Sequence, residues 1–193
     1  MVEGLDGATP LDEGETAGLI PNHIVTQDAL NAWEQVNIAE AARWLRHRRA
    51  GTAVLDQQFL REVHRRMFNA TWHWAGKYRT TGKNLGIPAS LIAQSLSDLL
   101  TDAQYWCEHK TYGPDEIGAR FHHRLVKIHP FPNGNGRHAR LVTDALLHQL
   151  GADPFTWGSA TVDTAGSARE AYIAALKVAD AGDLRPLMAF VRS

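Results

Sequence analysis

The chain has 193 residues, of which 44% are hydrophobic and 21% are charged, and its formal net charge is −1. This composition is typical of one globular domain, and it lacks the strongly basic field that favours nucleic-acid or membrane partners. Cys107 is the only cysteine, so no internal disulfide is possible and a reducing cytoplasm is the expected location. The first residues carry no signal-peptide pattern, and no apolar run is long enough to span a bilayer.

Apolar residues at helical spacing dominate the chain and predict an all-α fold. A flexible arm is predicted over residues 1–20, followed by a single domain over residues 21–193. The predicted helices cover, in chain order, residues 27–48, 56–69, 89–109, 114–128, 137–150, 166–180 and 184–191. Their ends carry common helix signals, such as Asp56 at an N-cap position and the pair Gly113-Pro114.

One segment, residues 77–88, interrupts the helical pattern. It combines threonine, tyrosine and isoleucine with two glycines and a closing proline, a composition that predicts a short β-hairpin. An ordinary connector is the alternative that the segment favours when it is considered alone.

The segment between His129 and Arg140 concentrates the groups that phosphate chemistry needs. Prolines near its start exclude a continued helix, and Gly134 and Gly136 allow a tight loop whose amides, with the next helix N-terminus, face an anion. Arg137 and Arg140 are three residues apart, so both lie on one helical face and can reach phosphate oxygens. Because the ordinary pKa of histidine is about 6.5, His129 is a candidate general base. The pattern therefore predicts a phosphate site with a base at its rim.

Structural alternatives exist for these residues. An isolated histidine at position 129 would cap a helix, glycines occur in ordinary turns, and arginines are common surface charges. A zinc site built on His122, His123 and His129 is disfavoured. Adjacent histidines point in different directions, and neither an acidic residue nor a cysteine completes the ligand set.

The segment reads His-Pro-Phe-Pro-Asn-Gly-Asn-Gly-Arg-His-Ala-Arg and resembles the Fic family signature, His-x-Phe-x-(Asp/Glu)-Gly-Asn-Gly-Arg-x-x-Arg. Every fixed position matches except Asn133, where the family has an acidic residue. The similarity extends over residues 18–190. Residues 18–21 and 34–38 are similar to a Fic subgroup called mobile mystery protein B, which is tied to mobile elements. The resemblance implies a Fic-type helical bundle in which the short hairpin forms a flap beside the active-site loop.

This resemblance implies transfer of AMP from ATP to a Ser, Thr or Tyr hydroxyl of an unknown target protein. It assigns the role of base to His129. The residues implied to bind the nucleotide are Asn133, Gly134, Asn135 (on the α-phosphate), Gly136, Arg137, Arg140 and Tyr172 (at the adenine pocket). Two alternatives stay open. One is a nucleotide-binding or regulatory protein whose transferase activity has decayed at Asn133, and the other is transfer of phosphate, phosphocholine or UMP.

The replacement of the acidic residue of the family by Asn133 affects Mg²⁺ binding. The acidic residue of the family would bind Mg²⁺, which prefers carboxylate oxygen. Asn133 lacks the charge and can reach the metal only through a water. We therefore expect Mg²⁺ to accompany ATP but to be weakly held.

Target binding and inhibition are implied as well. Residues that would form the flap and hold a target peptide by strand addition are Thr81, Gly82, Lys83, Asn84 and Leu85. Many Fic proteins carry a glutamate that pairs with the second arginine of the signature and blocks the γ-phosphate. Glu13, which has the inhibitory spacing, and Glu34, on the first strong helix, are the candidates. A separate antitoxin-like protein is the alternative regulator.

Overall fold

The structure, a computed structural model, describes residues 11–48, 53–159 and 165–193. The helices in these ranges are α1 (Glu13–Thr16), α2 (Gln27–Arg46), α3 (Gln57–Phe68), α4 (Ile92–His109), α5 (Pro114–Ile128), α6 (Asn135–Gln149), α7 (Ala165–Asp180) and α8 (Arg185–Val191), with a 3-10 turn at Ala89–Leu91. No extended strand occurs among the described residues, where Leu19 and Trp72 form an isolated antiparallel bridge. The all-α prediction is confirmed.

The main core lies where α2 to α6 meet. α5 packs against α4 and α6, and α3 packs against α2 and α6. Leu60 of α3, Leu96 of α4 and Phe121 of α5 are fully buried there. Burial of such a side chain stabilises a fold by about 1.5–3 kcal/mol, so these helices give the loops at their ends a well-packed base. Among the described residues, no helix combines the length and the apolar character needed to cross a membrane.

A second, smaller cluster joins α7 and α8 to this base. Leu187 and Val191 of α8 are fully buried in it, and Leu147 of α6 connects it to the main core. α8 also packs against α5. The C-terminal helices therefore pack on α5 and on the end of α6 that carries Leu147.

Predicted and observed helix boundaries differ by a few residues at most. Asp56 caps α3 as predicted, since its Oδ2 accepts the Phe59 backbone N–H at 2.9 Å. Pro114 is the first residue of α5, with Gly113 at the N-cap. The sequence analysis did not predict α1, because a single turn is too short to show helical periodicity.

The predicted arm, residues 1–20, is described from residue 11 onward, and residues 1–10 lie outside the described residues. Asp12 and Glu15 form a capping box at α1, with Asp12 Oδ1 accepting the Glu15 N–H at 2.8 Å and Glu15 Oε2 accepting the Asp12 N–H at 2.9 Å. Ile20 N–H donates to the Thr71 carbonyl at 2.8 Å. The arm and a domain beginning at residue 21 stay predictions.

The predicted β-hairpin over residues 77–88 is wrong, because all of these residues are described and none belongs to a strand. The Arg79 side chain donates to two backbone carbonyls that would otherwise be available for hydrogen bonds between the strands of a hairpin. Arg79 Nη1 donates to the Thr81 carbonyl at 2.9 Å, and Arg79 Nη2 donates to the Ile87 carbonyl. The Arg79 backbone N–H donates outside the segment, to the Pro130 carbonyl at 2.9 Å. The segment is therefore a loop folded around a guanidinium.

Candidate active site

His129 terminates α5 in an unusual backbone conformation. Its φ of 54° and ψ of 60° lie in the left-handed region, and its N–H donates to the Leu125 carbonyl at 3.2 Å. Only 7% of the residue is exposed. Because Pro130 follows, the chain cannot continue as a helix and turns into the loop that precedes α6. The end of α5 thus fixes the position of the predicted base.

Burial and neighbouring cations lower the pKa of His129 to about 4. Desolvation of the charged imidazolium is the largest cause, and the positive charges of Arg79 and Lys83 add to it. A hydrogen bond to the Val126 backbone acts in the opposite direction. The ring is therefore neutral at pH 7 and can accept a proton.

Asn135 shapes the loop that follows His129. Its Oδ1 accepts the Phe131 N–H at 2.9 Å and its Nδ2 donates to the Phe131 carbonyl at 2.7 Å. The residue is 3% exposed and begins α6. Because both ends of the amide bind the same peptide backbone, the side chain braces the loop. The predicted contact of Asn135 with the α-phosphate stays a prediction.

The two loop glycines meet different surroundings. Gly134 has a φ of 76°, and a Cβ there would lie 2.4 Å from Phe68 Cζ, so both backbone conformation and space require glycine. A Cβ added at Gly136 would meet nothing within 4 Å. The first turn of α6 therefore borders open space at Gly136, where the backbone N–H groups of a helix N-terminus attract anions.

Asn133 suits Mg²⁺ poorly. Its Oδ1 accepts the Gly134 N–H at 2.5 Å and lies 3.5 Å from Arg137 Nη2. A neutral amide oxygen beside a guanidinium is a weak ligand for a hard cation, which prefers carboxylates. Among the described residues, no group of three or more His, Cys, Asp or Glu side chains is arranged to hold a metal ion.

Arg137 is already engaged by an acidic side chain from α2. Its Nη1 lies 2.7 Å from Glu34 Oε2, and Glu34 Oε1 accepts the Trp72 Nε1–H at 2.8 Å. Glu34 is 5% exposed, whereas Glu13, the other candidate inhibitory residue, lies at the surface. The implied partner of an inhibitory glutamate was the second arginine of the signature, and Glu34 instead pairs with the first.

The second arginine, Arg140, lies among aromatic rings. Its guanidinium carbon is 4.6 Å from the ring centroid of Tyr172 and 5.6 Å from that of Trp157. Its Nε is buried and has no hydrogen-bond partner among the described residues. Such an unsatisfied buried donor can be satisfied by a ligand or by water. The phosphate-binding role of Arg140 stays a prediction.

Tyr172 is buried, and its hydroxyl is 2.8 Å from His122 Nε2. Burial raises the pKa of Tyr172 to about 12 and lowers the pKa of His122 to about 3. The neighbouring His123 contacts Asp180 at 3.0 Å instead. Each of these two histidines thus has its own partner. The role of Tyr172 at an adenine pocket stays a prediction.

The predicted flap residues lie on the loop around Arg79, and α1 contacts two of them. Thr81 Oγ1 donates to Asp12 Oδ2 at 3.2 Å, and Lys83 Nζ forms an ion pair with Glu15. The Lys83 side chain is only 5% exposed. The other members of this set, Gly82, Asn84 and Leu85, are exposed. The role of these residues in target binding stays a prediction.

His64 joins this loop to the motif and was missed by the sequence analysis. Its Nδ1 accepts the Gly76 N–H at 3.0 Å, so the neutral ring carries its proton on Nε2 and donates to the Asn133 carbonyl at 3.0 Å. The ring also stacks on Phe131 at a centroid distance of 3.7 Å. In the sequence, His64 lies on the predicted buried face of a helix, and its spacing does not distinguish it from the core residues of that face.

Arg79 was missed as well, although it contacts the candidate base directly. Its Nε donates to the His129 carbonyl at 2.6 Å, and the residue is 3% exposed. The signal available in the sequence was a single arginine in a polar stretch, where a surface charge is the usual interpretation. Only the fold shows that this arginine is buried against the motif.

Comparisons with known proteins identify the family of this domain. Residues 54–147 match the model of the Fic/DOC family. Protein adenylyltransferase fic-1 of Caenorhabditis briggsae is 36% identical over 134 residues, which cover 67% of this chain and 25% of that protein. Protein adenylyltransferase Fic of Nematostella vectensis is 34% identical over 134 residues, which cover 67% of this chain and 30% of that protein. The chain thus spans about a quarter to a third of the length of these curated relatives.

Solved structures show the same fold. Fic-1 (aa134–508) from C. elegans superposes with a TM-score of 0.68 at 28% identity, covering 92% of this chain and 51% of that chain. The BepC protein of Bartonella tribocorum, solved with bound AMPPNP, superposes with a TM-score of 0.70 at 21% identity, covering 94% and 93%. At that identity the second likeness concerns the fold alone. Together, the family match and these relatives show that the chain contains a Fic/DOC family domain.

Proposed function

We propose that the chain is a protein adenylyltransferase, which moves AMP from ATP to a hydroxyl side chain of a target protein. The observation that carries the proposal is the junction of α5 and α6, where a buried neutral His129 and a helix N-terminus open at Gly136 share one short loop. Relatives named protein adenylyltransferase support the same activity. Because the chain covers only part of the length of these relatives, the proposed activity rests on the geometry of the site as well as on the sequence similarity.

In the proposed reaction, the oxygen of a target Ser, Thr or Tyr hydroxyl attacks the α-phosphorus of ATP. A new P–O bond to the target forms, the bond from the α-phosphorus to the bridging oxygen breaks, and pyrophosphate leaves with that electron pair. The hydroxyl proton moves to His129. Positioning and charge stabilisation are the main contributions that a protein makes to such a transfer.

The phosphates would lie at the N-terminus of α6. The Gly136 backbone N–H would face the negative charge, and Gly134, whose own N–H donates to Asn133 Oδ1, would contribute by allowing the tight turn. The guanidinium groups of Arg137 and Arg140 would offset charge on the leaving pyrophosphate. The open space at Gly136 and the unsatisfied Nε of Arg140 support this placement. Asn135 contributes by bracing the loop through Phe131.

The low pKa of His129 is compatible with the role of base. At pH 7 the imidazole is neutral and can accept a proton, although a pKa of about 4 makes it a weak base in the nucleotide-free protein. A bound triphosphate adds negative charge nearby and raises that pKa, because an opposite charge favours the protonated form. Nucleotide binding would therefore bring His129 closer to the pKa at which a general base is most effective.

A second candidate function is a nucleotide-binding or regulatory domain that has lost transfer. Two observations favour it: Asn133 replaces the acidic residue of the signature, and Glu34 occupies Arg137. In that case ATP would bind with its phosphates at α6 but would not be cleaved. Transfer of another phosphate-linked group is the third possibility and would leave a different label on the acceptor.

Labelled ATP separates these functions. The protein is incubated with ATP and Mg²⁺, once with ³²P at the α-position and once at the γ-position, and protein-bound label is counted after denaturation. We expect label from the α-position only. Label from the γ-position would indicate phosphate transfer. Label from neither, with ATP binding intact by calorimetry, would indicate the binding domain or transfer of a group that ATP does not supply, such as UMP or phosphocholine.

Finer assignments belong to the same proposal. The target, modified on Ser, Thr or Tyr, and membership of the mobile mystery protein B subgroup follow from the resemblance, whereas a cytoplasmic location follows from the single cysteine. Mg²⁺ would accompany ATP and be weakly held at Asn133. Inhibition would come from Glu34 or Glu13, or from a separate antitoxin-like protein. Residues 81–85 would hold the target.

A further inference from the structure

We propose that Arg79 is a positioning residue that couples the target-binding loop, residues 81–85, to His129. Its buried guanidinium hydrogen-bonds to backbone on both sides of the site, and its charge helps to keep the His129 imidazole neutral. This inference rests on the proposed function, in which residues 81–85 bind the target and His129 is the base. Arg79 makes no chemical step itself. It acts through the conformation and the protonation state of His129.

On the side of the base, Arg79 fixes the peptide groups around His129. Its Nε donates to the His129 carbonyl at 2.6 Å, its Nη2 lies 3.4 Å from the Ile128 carbonyl, and its backbone N–H donates to the Pro130 carbonyl at 2.9 Å. His129 has a left-handed backbone conformation, which is unfavourable for a residue other than glycine. Such a conformation persists only when neighbouring contacts hold it, and the Arg79 side chain and backbone provide three of them.

On the side of the target, the same side chain fixes both ends of the loop. Arg79 Nη1 donates to the Thr81 carbonyl at 2.9 Å, and Nη2 donates to the Ile87 carbonyl. Residues 82–86 lie between these two anchors. A guanidinium offers five N–H donors in a rigid plane, so one side chain can set the distance between the loop and the base.

Gly86 brings the loop and the base into direct contact. A Cβ on Gly86 would lie 2.5 Å from His129 Cβ and 2.8 Å from Arg79 Nη2, and the residue has a φ of 96°. The loop therefore packs against the His129 side chain without room for a methyl group. A displacement of the loop at Gly86 must move His129, Arg79 or both.

The positive charge of Arg79 also lowers the pKa of His129. The charged groups that lower the pKa of His129 are Arg79 and Lys83, and both lie on the loop of residues 77–88. Lys83 forms ion pairs with Glu15 and Asp12, which offset its charge. Arg79 donates to backbone carbonyls, which leave its net charge in place. Removal of that charge should make protonation of His129 easier.

Two substitutions separate the effect of the positive charge of Arg79 from the effect of its planar set of N–H donors. Arg79→Lys keeps the charge and loses the planar set of donors, whereas Arg79→Gln loses both. Gly86→Ala tests the contact without changing any charge. Arg61→Gln is the matched control, because Arg61 also donates to a backbone carbonyl, that of Gly76 at 2.9 Å, immediately before the segment of residues 77–88. Circular dichroism confirms that each variant folds before it is used.

The primary measurement is an NMR titration of the His129 imidazole in the nucleotide-free protein, which needs no transfer activity. We expect the pKa of His129 to rise by about one unit in Arg79→Gln and to change little in Arg79→Lys, Gly86→Ala and Arg61→Gln. Amide hydrogen exchange at residues 81–87 should quicken at least tenfold in Arg79→Lys, Arg79→Gln and Gly86→Ala, but not in Arg61→Gln. A residue that only stabilised the fold would leave the pKa of His129 unchanged.

Labelling with α-³²P-ATP completes the experiment. In the proposed mechanism, Arg79→Lys and Gly86→Ala lower the rate of self-labelling at least tenfold, and in Arg79→Gln the acid limb of the pH profile also moves to higher pH. An unchanged His129 pKa in folded Arg79→Gln, or unchanged exchange in both Arg79 variants, would overturn the coupling. If the variants show the expected changes in pKa and exchange but the wild-type protein never incorporates label, the coupling is supported and the proposed function is rejected.

Discussion

Glu34 and Arg137 are 103 positions apart in the sequence and form an ion pair in which Arg137 Nη1 is 2.7 Å from Glu34 Oε2. The glutamate side chain is 6% exposed and the arginine side chain 40%. Trp72 holds the second carboxylate oxygen at 2.8 Å, so the carboxylate is fixed in place. The pair therefore occupies a guanidinium that, in the proposed function, receives phosphate charge.

Glu34→Gln should activate the protein. The amide keeps an acceptor for Trp72 but loses the negative charge, so Arg137 is released toward a phosphate. A gain of about 1.4 kcal/mol in nucleotide binding corresponds to a tenfold change, and we expect at least that increase in ATP affinity by calorimetry together with faster α-label incorporation. Glu13→Gln is the control, since Glu13 is exposed on α1. Activation by Glu13→Gln alone would assign the inhibitory role to α1.

His129→Ala should abolish transfer and leave ATP binding nearly unchanged. A general base contributes about 10²–10⁴-fold to a rate, so the initial rate of α-label incorporation should fall by that factor. Calorimetry with ATP measures binding separately. His73→Ala is a suitable control because His73 is exposed. Transfer by His129→Ala within threefold of the wild-type rate would show that another group takes the proton.

Sequence patterns were sufficient for the longer helices, α2 to α8, and for the motif, because both depend on local spacing. Asp56 and Pro114 mark helix starts through interactions that span three or four residues, and the structure places both as predicted. Gly134 is required by its backbone conformation and by Phe68. The first of these requirements is local, and for that reason it could be predicted from the sequence.

The missed features depend on contacts between distant parts of the chain. Residues 77–88 have a composition typical of a hairpin, but Arg79 takes the Thr81 and Ile87 carbonyls and binds the backbone of His129, 50 positions away. The pairing of Glu34 with Arg137 is likewise a product of the packing of α2 and α6 against α3. No periodicity or short motif contains such information.

Stability should fall as the pH is lowered from 7 to 5. Burial lowers the pKa of His122 to about 3 and that of His129 and His138 to about 4. A histidine whose pKa is lower in the folded protein binds fewer protons there than in the unfolded chain. The stability that it contributes is complete above the unfolded pKa, about 6.5, and is lost as the pH falls toward the folded value.

Urea denaturation at pH 7, 6 and 5 checks this expectation. The loss at pH 5 should be on the order of 2 kcal/mol for each of the three histidines. His138→Gln retains a donor for the Leu60 carbonyl, 2.9 Å from His138 Nε2, and should flatten the profile, whereas the exposed His73→Gln should not. Equal free energies of unfolding at pH 7 and 5 would mean that these rings are protonated in the native state at little cost.

Asn133→Asp restores the acidic residue of the Fic signature and should increase coupling to Mg²⁺. The two side chains have nearly the same shape, so the loop should keep its conformation. A carboxylate at this position accepts the Gly134 N–H at the start of α6, as the amide does, and gains attraction to Arg137, whose Nη2 lies 3.5 Å from Asn133 Oδ1. Thermal stability should therefore be unchanged or slightly higher.

The functional consequence is measured with ATP at a series of Mg²⁺ concentrations. In the wild type we expect ATP affinity that responds weakly to Mg²⁺ and slow transfer, because Asn133 is a poor ligand for a hard cation. Asn133→Asp should bind ATP more tightly as Mg²⁺ is added and should label faster from the α-position. Asn133-Gly134 is prone to deamidation, so intact mass is measured first and only protein with a confirmed Asn133 is compared. Vigorous Mg²⁺-dependent transfer by that protein, unimproved by Asn133→Asp, would show that this domain transfers AMP without a carboxylate at position 133.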